Sequence, residues 1–125
     1  MGPMAITGAH VLLYTTEPEA VREVFRDVFG WDNVDAGGGW LIFALPPAEL
    51  GVHPIEVAPP PDQGGAPHAL TLMCDDVEAT AADLRSRGLS VSDDVQEAGF
   101  GRTTTITLPG GLFVQLYQPR HPTAI

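Results

Sequence analysis

The stretch Pro67-His68-Ala69-Leu70-Thr71-Leu72-Met73-Cys74-Asp75-Asp76-Val77-Glu78-Ala79-Thr80-Ala81 decides the fold. Its first half is a short apolar run led by His68, which predicts a strand, and its second half predicts a helix. Asp75 is the expected N-cap, and Glu78 stands three residues later, in the position of a capping box. Gly88 is expected to end this helix in a left-handed conformation. The apolar face that the helix would bury consists of Val77, Ala81 and Leu84.

A second copy of this strand–helix opening lies 58 residues earlier in the chain and is led by His10. Residues 8–15 predict its strand. Thr16 is the expected cap of the helix that follows, because Glu19 stands three residues later and completes a capping box. Gly30 is expected to end this helix. It lies 58 residues before Gly88, the same separation as between the two histidines. The apolar face of this helix consists of Val21, Val24, Phe25, Val28 and Phe29.

Each predicted helix is followed by residues that favour strands. In the first half, a short strand after Trp31 leads into a turn at Gly37–Gly39. Residues 40–45 then predict a strand that pairs with residues 49–53 after a proline turn. The first half therefore reads as strand, helix and three further strands.

The second half repeats this order. Residues 89–91 predict a short strand, and a glycine-rich turn follows at residues 97–101. Residues 102–108 and 112–117 predict a hairpin, in which threonines at 103, 105 and 107 would give the sheet one polar face. Between the halves, residues 58–67 are rich in proline and glycine and predict a linker. Two such repeats, neither able to bury its sheet alone, are expected to pack together.

Composition limits what the chain can do. The formal net charge is −10, from 16 acidic residues against six arginines and no lysine. This charge excludes nucleic acid as an expected partner and favours either simple solubility or a cationic ligand. No run approaches the roughly 18 apolar residues of a membrane span, and the N-terminus lacks a signal-peptide pattern, so a cytoplasmic protein is expected. Cys74 is the single cysteine, which excludes a disulfide framework and a cysteine-rich zinc site.

The layout resembles the vicinal oxygen chelate superfamily of glyoxalases, bleomycin-resistance proteins, fosfomycin-resistance enzymes and extradiol dioxygenases. The resemblance spans about residues 6–119 and lies mainly in residues 68–79, which look like the opening of the second module of that family. Phe29-Gly30-Trp31 resembles the end of the first-module helix. Residues 108–116 resemble the closing hairpin, with Leu108 where the family usually carries aspartate.

The resemblance implies an α+β fold of two βαβββ modules that form a cupped mixed sheet with a central cleft (the glyoxalase/bleomycin resistance fold). The 125 residues would form a single glyoxalase-like domain, 1–125. Module one would span about residues 6–57, residues 58–67 would be the linker, and module two would span about residues 68–119. A homodimer is expected, because short two-module members commonly pair to complete their clefts.

In the metal-dependent members, ligands come from the first and last strands of each module. The resemblance maps three of these positions onto His10, His68 and Gln115, where Gln115 replaces the usual glutamate. The fourth position stays open between His53 and Glu56. Loop length favours His53, eight residues after Leu45 as against eleven for Glu56, with seven separating Leu108 from Gln115. Residue type favours Glu56.

Two functions follow from this mapping. In the first, a divalent metal (zinc, nickel, iron or manganese) chelates adjacent oxygens of a small molecule, as in a lyase or dioxygenase, and Glu56 is the candidate catalytic base. In the second, a metal-free binding or resistance protein sequesters a cationic, antibiotic-like molecule, and the histidines are structural. The aromatic residues would then either fill the core or form the wall for a flat ligand. They are Trp40, Phe43, Phe100 and Tyr117.

Overall fold

The structure is a computed structural model and describes residues 10–52 and 69–125. Two helices and seven strands follow one another along these residues, with a π-helical turn after the first helix and a 3-10 turn in the last hairpin. They are α1 (Pro18–Glu23), the π-helical turn (Val24–Val28), β1 (Asn33–Asp35), β2 (Leu41–Phe43), β3 (Thr71–Met73), α2 (Val77–Ser86), β4 (Ser90–Val91), β5 (Gln96–Ala98), β6 (Gly101–Leu108), the 3-10 turn (Pro109–Gly111) and β7 (Leu112–Pro119). Within the described ranges, no helix has the length and apolar character needed to cross a membrane.

The second half forms a five-stranded sheet in the order β3-β7-β6-β4, with β5 also paired to β6. β3 runs parallel to β7, and the other pairs are antiparallel. The predicted order of a strand, a helix, a short strand and a hairpin is confirmed for this half, but β5 is an additional strand in residues that were partly predicted as a glycine-rich turn. The long hairpin of β6 and β7 was predicted within two residues at each end, because its threonine-rich and apolar strands flank an unmistakable Pro-Gly-Gly turn.

The N-cap of helix α2 lies one residue later than predicted. Asp76, not Asp75, is the N-cap: its backbone is extended, and its Oδ1 accepts a hydrogen bond of 3.0 Å from the backbone N–H of Ala79. Glu78 does not close a capping box but forms an ion pair with Arg102 of β6. Gly88 has a φ of +93°, which confirms the predicted left-handed end.

The first half departs further from prediction. Residues 10–15 form no strand, and Leu12 and Tyr14 are 56% and 82% exposed, so this run buries no continuous face. Among residues 49–52, which were predicted to pair with the strand before them, Leu50 and Val52 are more than nine-tenths exposed and none is in a strand. Without a buried face, the apolar pattern alone does not make a strand.

The start of α1 also differs from the predicted capping box. Glu17 is its N-cap and makes no side-chain capping bond. Thr15, rather than Thr16, binds here: its Oγ1 accepts a hydrogen bond from the N–H of Glu17 (3.1 Å) and donates one to the carbonyl of Pro109 (2.8 Å). The capping pattern in the sequence did not predict this arrangement, because it depends on a long-range contact. Thr15 connects the start of α1 to the closing turn of the second half.

The β1–β2 hairpin is short and turns where the glycines predict. Gly37, Gly38 and Gly39 all have positive φ, and the Asp35 carboxylate accepts a 2.7 Å hydrogen bond from the N–H of Gly37. Gly30 also has a positive φ, of +69°, as expected at the end of the first helix.

One core holds both halves together. Its cluster includes Val21 of α1 together with residues of α2 and the second sheet: Val77, Ala81, Leu84, Val91, Ile106, Leu108, Val114 and Leu116. On β6 and β7 these buried residues have even numbers, so odd-numbered side chains face away from α2. On that second face, Thr105 is exposed, Gln115 is half-buried and Thr103 is buried.

Candidate functional site

A cavity of about 370 Å³ lies between α1, the extended segment 10–15 and the β1–β2 hairpin. We call it the aromatic cavity. Four aromatic residues line it (Phe25, Trp31, Trp40 and Phe43), together with aliphatic side chains of the three elements and Leu70. A concave, mainly apolar surface with few polar groups is the usual form of a small-molecule site.

The aromatic rings of the first half form a connected group. The Phe25 ring centroid lies 5.0 Å from that of Trp31 and 5.5 Å from that of Phe43, the second pair meeting edge to face. The π-helical turn positions these rings, because the N–H of Trp31 donates to the carbonyl of Phe25 at 3.0 Å and folds the chain back over the helix. Because these rings pack against one another, they hold the wall of the cavity in place without a ligand.

Charge in this cavity is opposite in sign to the charge of the whole chain. Among the described residues that line it, the ionisable ones are Arg22 and His10, and none is a carboxylate. The Arg22 guanidinium lies 5.0 Å from the centroid of the Trp40 ring, a cation–π contact. Trp40 is 57% exposed, so this pair stands at the accessible side of the cavity.

A second cavity, also about 370 Å³, lies on the face of the second sheet that points away from α2. We call it the sheet-face cavity. Polar side chains of three neighbouring strands line it: Thr71 of β3, Gln115 of β7 and Thr105 of β6. Leu13 and Leu70 line both cavities, so the two are adjacent and share an aliphatic wall.

Two of the predicted metal ligands, His10 and Gln115, lie among the described residues. His10 is exposed and lines the aromatic cavity, whereas Gln115 lines the sheet-face cavity. His53, Glu56 and His68 lie outside the described residues. Within residues 10–52 and 69–125, no group of three or more His, Cys, Asp or Glu side chains is placed to hold a metal ion. The described residues therefore do not form a metal site by themselves, and no catalytic step through a metal follows from them.

The four predicted aromatic residues divide between two places. Trp40 and Phe43 line the aromatic cavity. Phe100 and Tyr117 line neither cavity and instead pack edge to face at 5.8 Å. His121 joins them, since its Nε2 lies 3.3 Å from the Tyr117 hydroxyl and the rings stack at 6.0 Å. These three residues anchor the C-terminal segment on the sheet.

Several lining residues were missed in the sequence. Phe25 was assigned to the core face of the helix, Trp31 only to its end, and Arg22 to no role. The available signal was helical spacing, because Phe25 lies three residues after Arg22 and four after Val21 and is therefore a neighbour of both on the helix surface. Thr71 could be recognised as a lining residue only from the pairing of β3 with β7, because nothing in the local sequence shows that Thr71 lies beside Gln115.

Comparison with known proteins gives one family model and several solved structures that match most of the chain. The family model described as "Glyoxalase/Bleomycin resistance protein/Dioxygenase superfamily" matches residues 8–116. The crystal structure of TnmS3, an antibiotic binding protein from Streptomyces sp. CB03234, is 25% identical, with a TM-score of 0.61 over 94% of this chain and 99% of that chain. A glyoxalase/bleomycin resistance protein from the same organism is 26% identical, with a TM-score of 0.52 over 83% of this chain and 93% of its own.

A third similar structure is lactoylglutathione lyase from Agrobacterium tumefaciens. It is 20% identical, with a TM-score of 0.58 over 94% of this chain and 96% of that chain. At this identity the likeness concerns the fold. A comparison with curated protein sequences gives no match.

Proposed function

The chain belongs to the Glyoxalase/Bleomycin resistance protein/Dioxygenase superfamily, and from this premise we propose that it binds a flat, largely apolar small molecule in the aromatic cavity. The observation that carries the proposal is the lining of that cavity, where the described residues include four aromatic side chains and two ionisable ones. Planar ligands gain most from such walls, because aromatic rings stack on them and apolar surface leaves water. The similarity to an antibiotic binding protein supports binding as the function.

The cavity favours a neutral or anionic ligand over a cationic one. The net charge of the chain was read either as simple solubility or as a sign of a cationic ligand, but a cation here would meet Arg22 and no carboxylate among the described lining residues. Local charge outweighs net charge for a bound ligand, because the interaction energy falls with distance and is screened by salt. An aromatic carboxylate would place its ring beside Trp40 and its charge near the Arg22 guanidinium.

A metal-dependent lyase or dioxygenase remains the other proposal for this chain. It would use His10 and Gln115 with His68 and either His53 or Glu56, and in that case the metal would polarise oxygens of a small substrate. The described residues place His10 and Gln115 in different cavities. We favour binding that needs no metal, because among the described residues that line the aromatic cavity His10 is the single side chain of the His, Cys, Asp or Glu types.

Titration with naphthalene probes tests the binding proposal. Trp31 and Trp40 are the only tryptophans of the chain, and both line the aromatic cavity. In a ¹H–¹⁵N spectrum, 2-naphthoate should therefore shift both indole N–H signals, and calorimetry should give the same dissociation constant with and without EDTA. If naphthoate shifts neither indole, or if EDTA abolishes binding, the proposal is wrong.

The charge preference has its own comparison. We expect 2-naphthoate to bind about fivefold more tightly than 2-naphthylmethylammonium, in the range of an exposed ion pair. Arg22→Gln should remove this preference. Arg87→Gln, an arginine at the end of α2 that lines neither cavity, is the matched control and should keep it. If 2-naphthylmethylammonium bound more tightly than 2-naphthoate, the preference for a neutral or anionic ligand would be wrong, and a cationic ligand would be favoured.

A further inference from the structure

We propose that the sheet-face cavity is a second compartment of the same site and holds a neutral hydrogen-bonding group, such as a primary amide or a hydroxyl. The flat body of the same ligand would lie in the aromatic cavity. This inference rests on the proposed function and adds the chemical class of the second half of the ligand.

The polar row of this compartment is fixed by strand register. Gln115 of β7 lies directly beside Thr71 of β3 on one side and directly beside Thr105 of β6 on the other. Residues at paired positions project from the same face of a sheet. The neighbours of Gln115 in β7, Val114 and Leu116, are buried in the core under α2, so the row faces the opposite way, into the cavity.

The three side chains of this row have hydrogen-bonding capacity to offer. None of them makes a side-chain hydrogen bond to another described residue, whereas the adjacent Thr104 hydroxyl, on the other face, donates to the carbonyl of Ser92 at 2.7 Å. A glutamine amide and two threonine hydroxyls both donate and accept, and none carries charge. A neutral group with a donor and an acceptor matches this row better than an ion, which would lose its hydration without a counter-charge.

The two compartments communicate past two leucines. Leu13 belongs to the extended segment before α1, and Leu70 directly precedes β3, and both line the two cavities. Both are half-buried and lie outside regular strands. A short alkyl chain can therefore join the two ends of the ligand along this aliphatic wall, where it would remove apolar surface from water.

A pair of probes isolates the polar compartment. The first is 4-(2-naphthyl)butanamide, and the second is 2-butylnaphthalene, which has the same ring and a similar chain but no amide. We expect the amide probe to bind about fivefold more tightly, as one or two net hydrogen bonds would give. Calorimetry measures both dissociation constants, and the indole signals report that the ring occupies the aromatic cavity in both cases.

Substitutions then assign the preference to the row. Gln115→Leu should bring the ratio of the two dissociation constants close to one, because the amide of the probe loses its partner in the row. Thr105→Val, which is nearly isosteric, should reduce the ratio about twofold and serves if the first variant does not fold. Gln96→Leu makes the same replacement on β5, where the side chain binds Asp94 and lines neither cavity, and should leave the ratio unchanged.

The outcomes separate the two proposals. If 2-butylnaphthalene shifts neither indole, the proposed function itself fails. If it binds but the amide adds no affinity, or if Gln115→Leu and Thr105→Val both keep the full preference, the aromatic cavity stands and the second compartment is overturned.

Discussion

Gly110 is a residue at which the closing turn of the second half packs tightly against the entry to α1. Its φ is +79°, and an added Cβ would overlap the Thr15 hydroxyl and lie 3.1 Å from the Thr16 backbone nitrogen. The same hydroxyl donates to the carbonyl of Pro109. A side chain here would therefore cost conformational strain and also separate α1 from the closing turn.

We expect Gly110→Ala to lower the free energy of unfolding by about 2 to 4 kcal/mol. Gly111→Ala is the matched control, since Gly111 also has a positive φ, +73°, but a Cβ there would meet no atom within 4 Å. That control should cost only about 1 to 2 kcal/mol for the left-handed backbone. Urea unfolding measures both, and equal losses would contradict a tight contact at Thr15.

Tyr117 gives a second test at the scale of one residue. Burial raises the pKa of Tyr117 above its ordinary 10.0, and the negative charge of Glu49 raises it further. A phenol whose pKa is raised by folding keeps its proton longer in the folded state. Stability is therefore fully present below about pH 10 and falls as the pH rises from there through the folded pKa.

Absorbance titration checks this shift. Because Tyr14 is the only other tyrosine, Tyr14→Phe leaves one phenol to observe. Its transition should lie above pH 10, and Glu49→Gln should move it downward because one of its two causes is removed. A transition at the ordinary value in the folded protein would contradict the burial of Tyr117.

At the scale of elements, α2 is the best-defined helix and its cap can be tested directly. Asp76→Ala should lower the free energy of unfolding by about 1 kcal/mol, because the N–H of Ala79 loses its acceptor. Asp75→Ala is the control, one residue earlier and with the same loss of charge. A larger loss for Asp75→Ala would restore the cap that the sequence pattern predicted.

The elements also show how far a sequence pattern reaches. The β6–β7 hairpin and α2 follow from local signals, since periodicity, turn glycines and caps all agree there. Residues 10–15 and 49–52 carry apolar patterns of equal strength but form no strand in the described structure. A strand needs a pairing partner and a buried face, and a run of five or six residues predicts neither of them.

Site residues follow the same division. Trp40 and Phe43 were predicted as possible walls of a ligand site from their type and strand position, and they line the aromatic cavity. Gln115 and Thr105 pair within the predicted β6–β7 hairpin, but the place of Thr71 beside them depends on the pairing of β3 with β7, which no local pattern gives. The mapping of His53, Glu56 and His68 falls outside the described residues and stays a prediction.

For the whole molecule, exposed apolar side chains offer surface that a second copy of the chain could cover. Here several large side chains are more than half exposed, namely Leu12, Tyr14, Val34, Trp40, Leu50, Val52, Phe113 and Ile125. We therefore keep the prediction of a homodimer formed by a single-domain chain.

Sedimentation velocity at micromolar concentration should show this dimer. Leu50→Asp should weaken it at least about tenfold if this side chain, 91% exposed, is covered by the second copy. Ala48→Asp adds the same charge to the same segment at a small side chain and should weaken it less. A monomer at this concentration would contradict the prediction.

The hydrogen bond from Thr15 to Pro109 joins residues 94 positions apart. Closing so long a loop costs more chain entropy than forming the β6–β7 hairpin or α2, whose contacts are local. We therefore expect the second half to fold first and the segment 10–15 to dock late, onto a turn already in place. Since that segment lines both cavities, a chain emerging from synthesis would acquire its ligand site only after its last strand had formed.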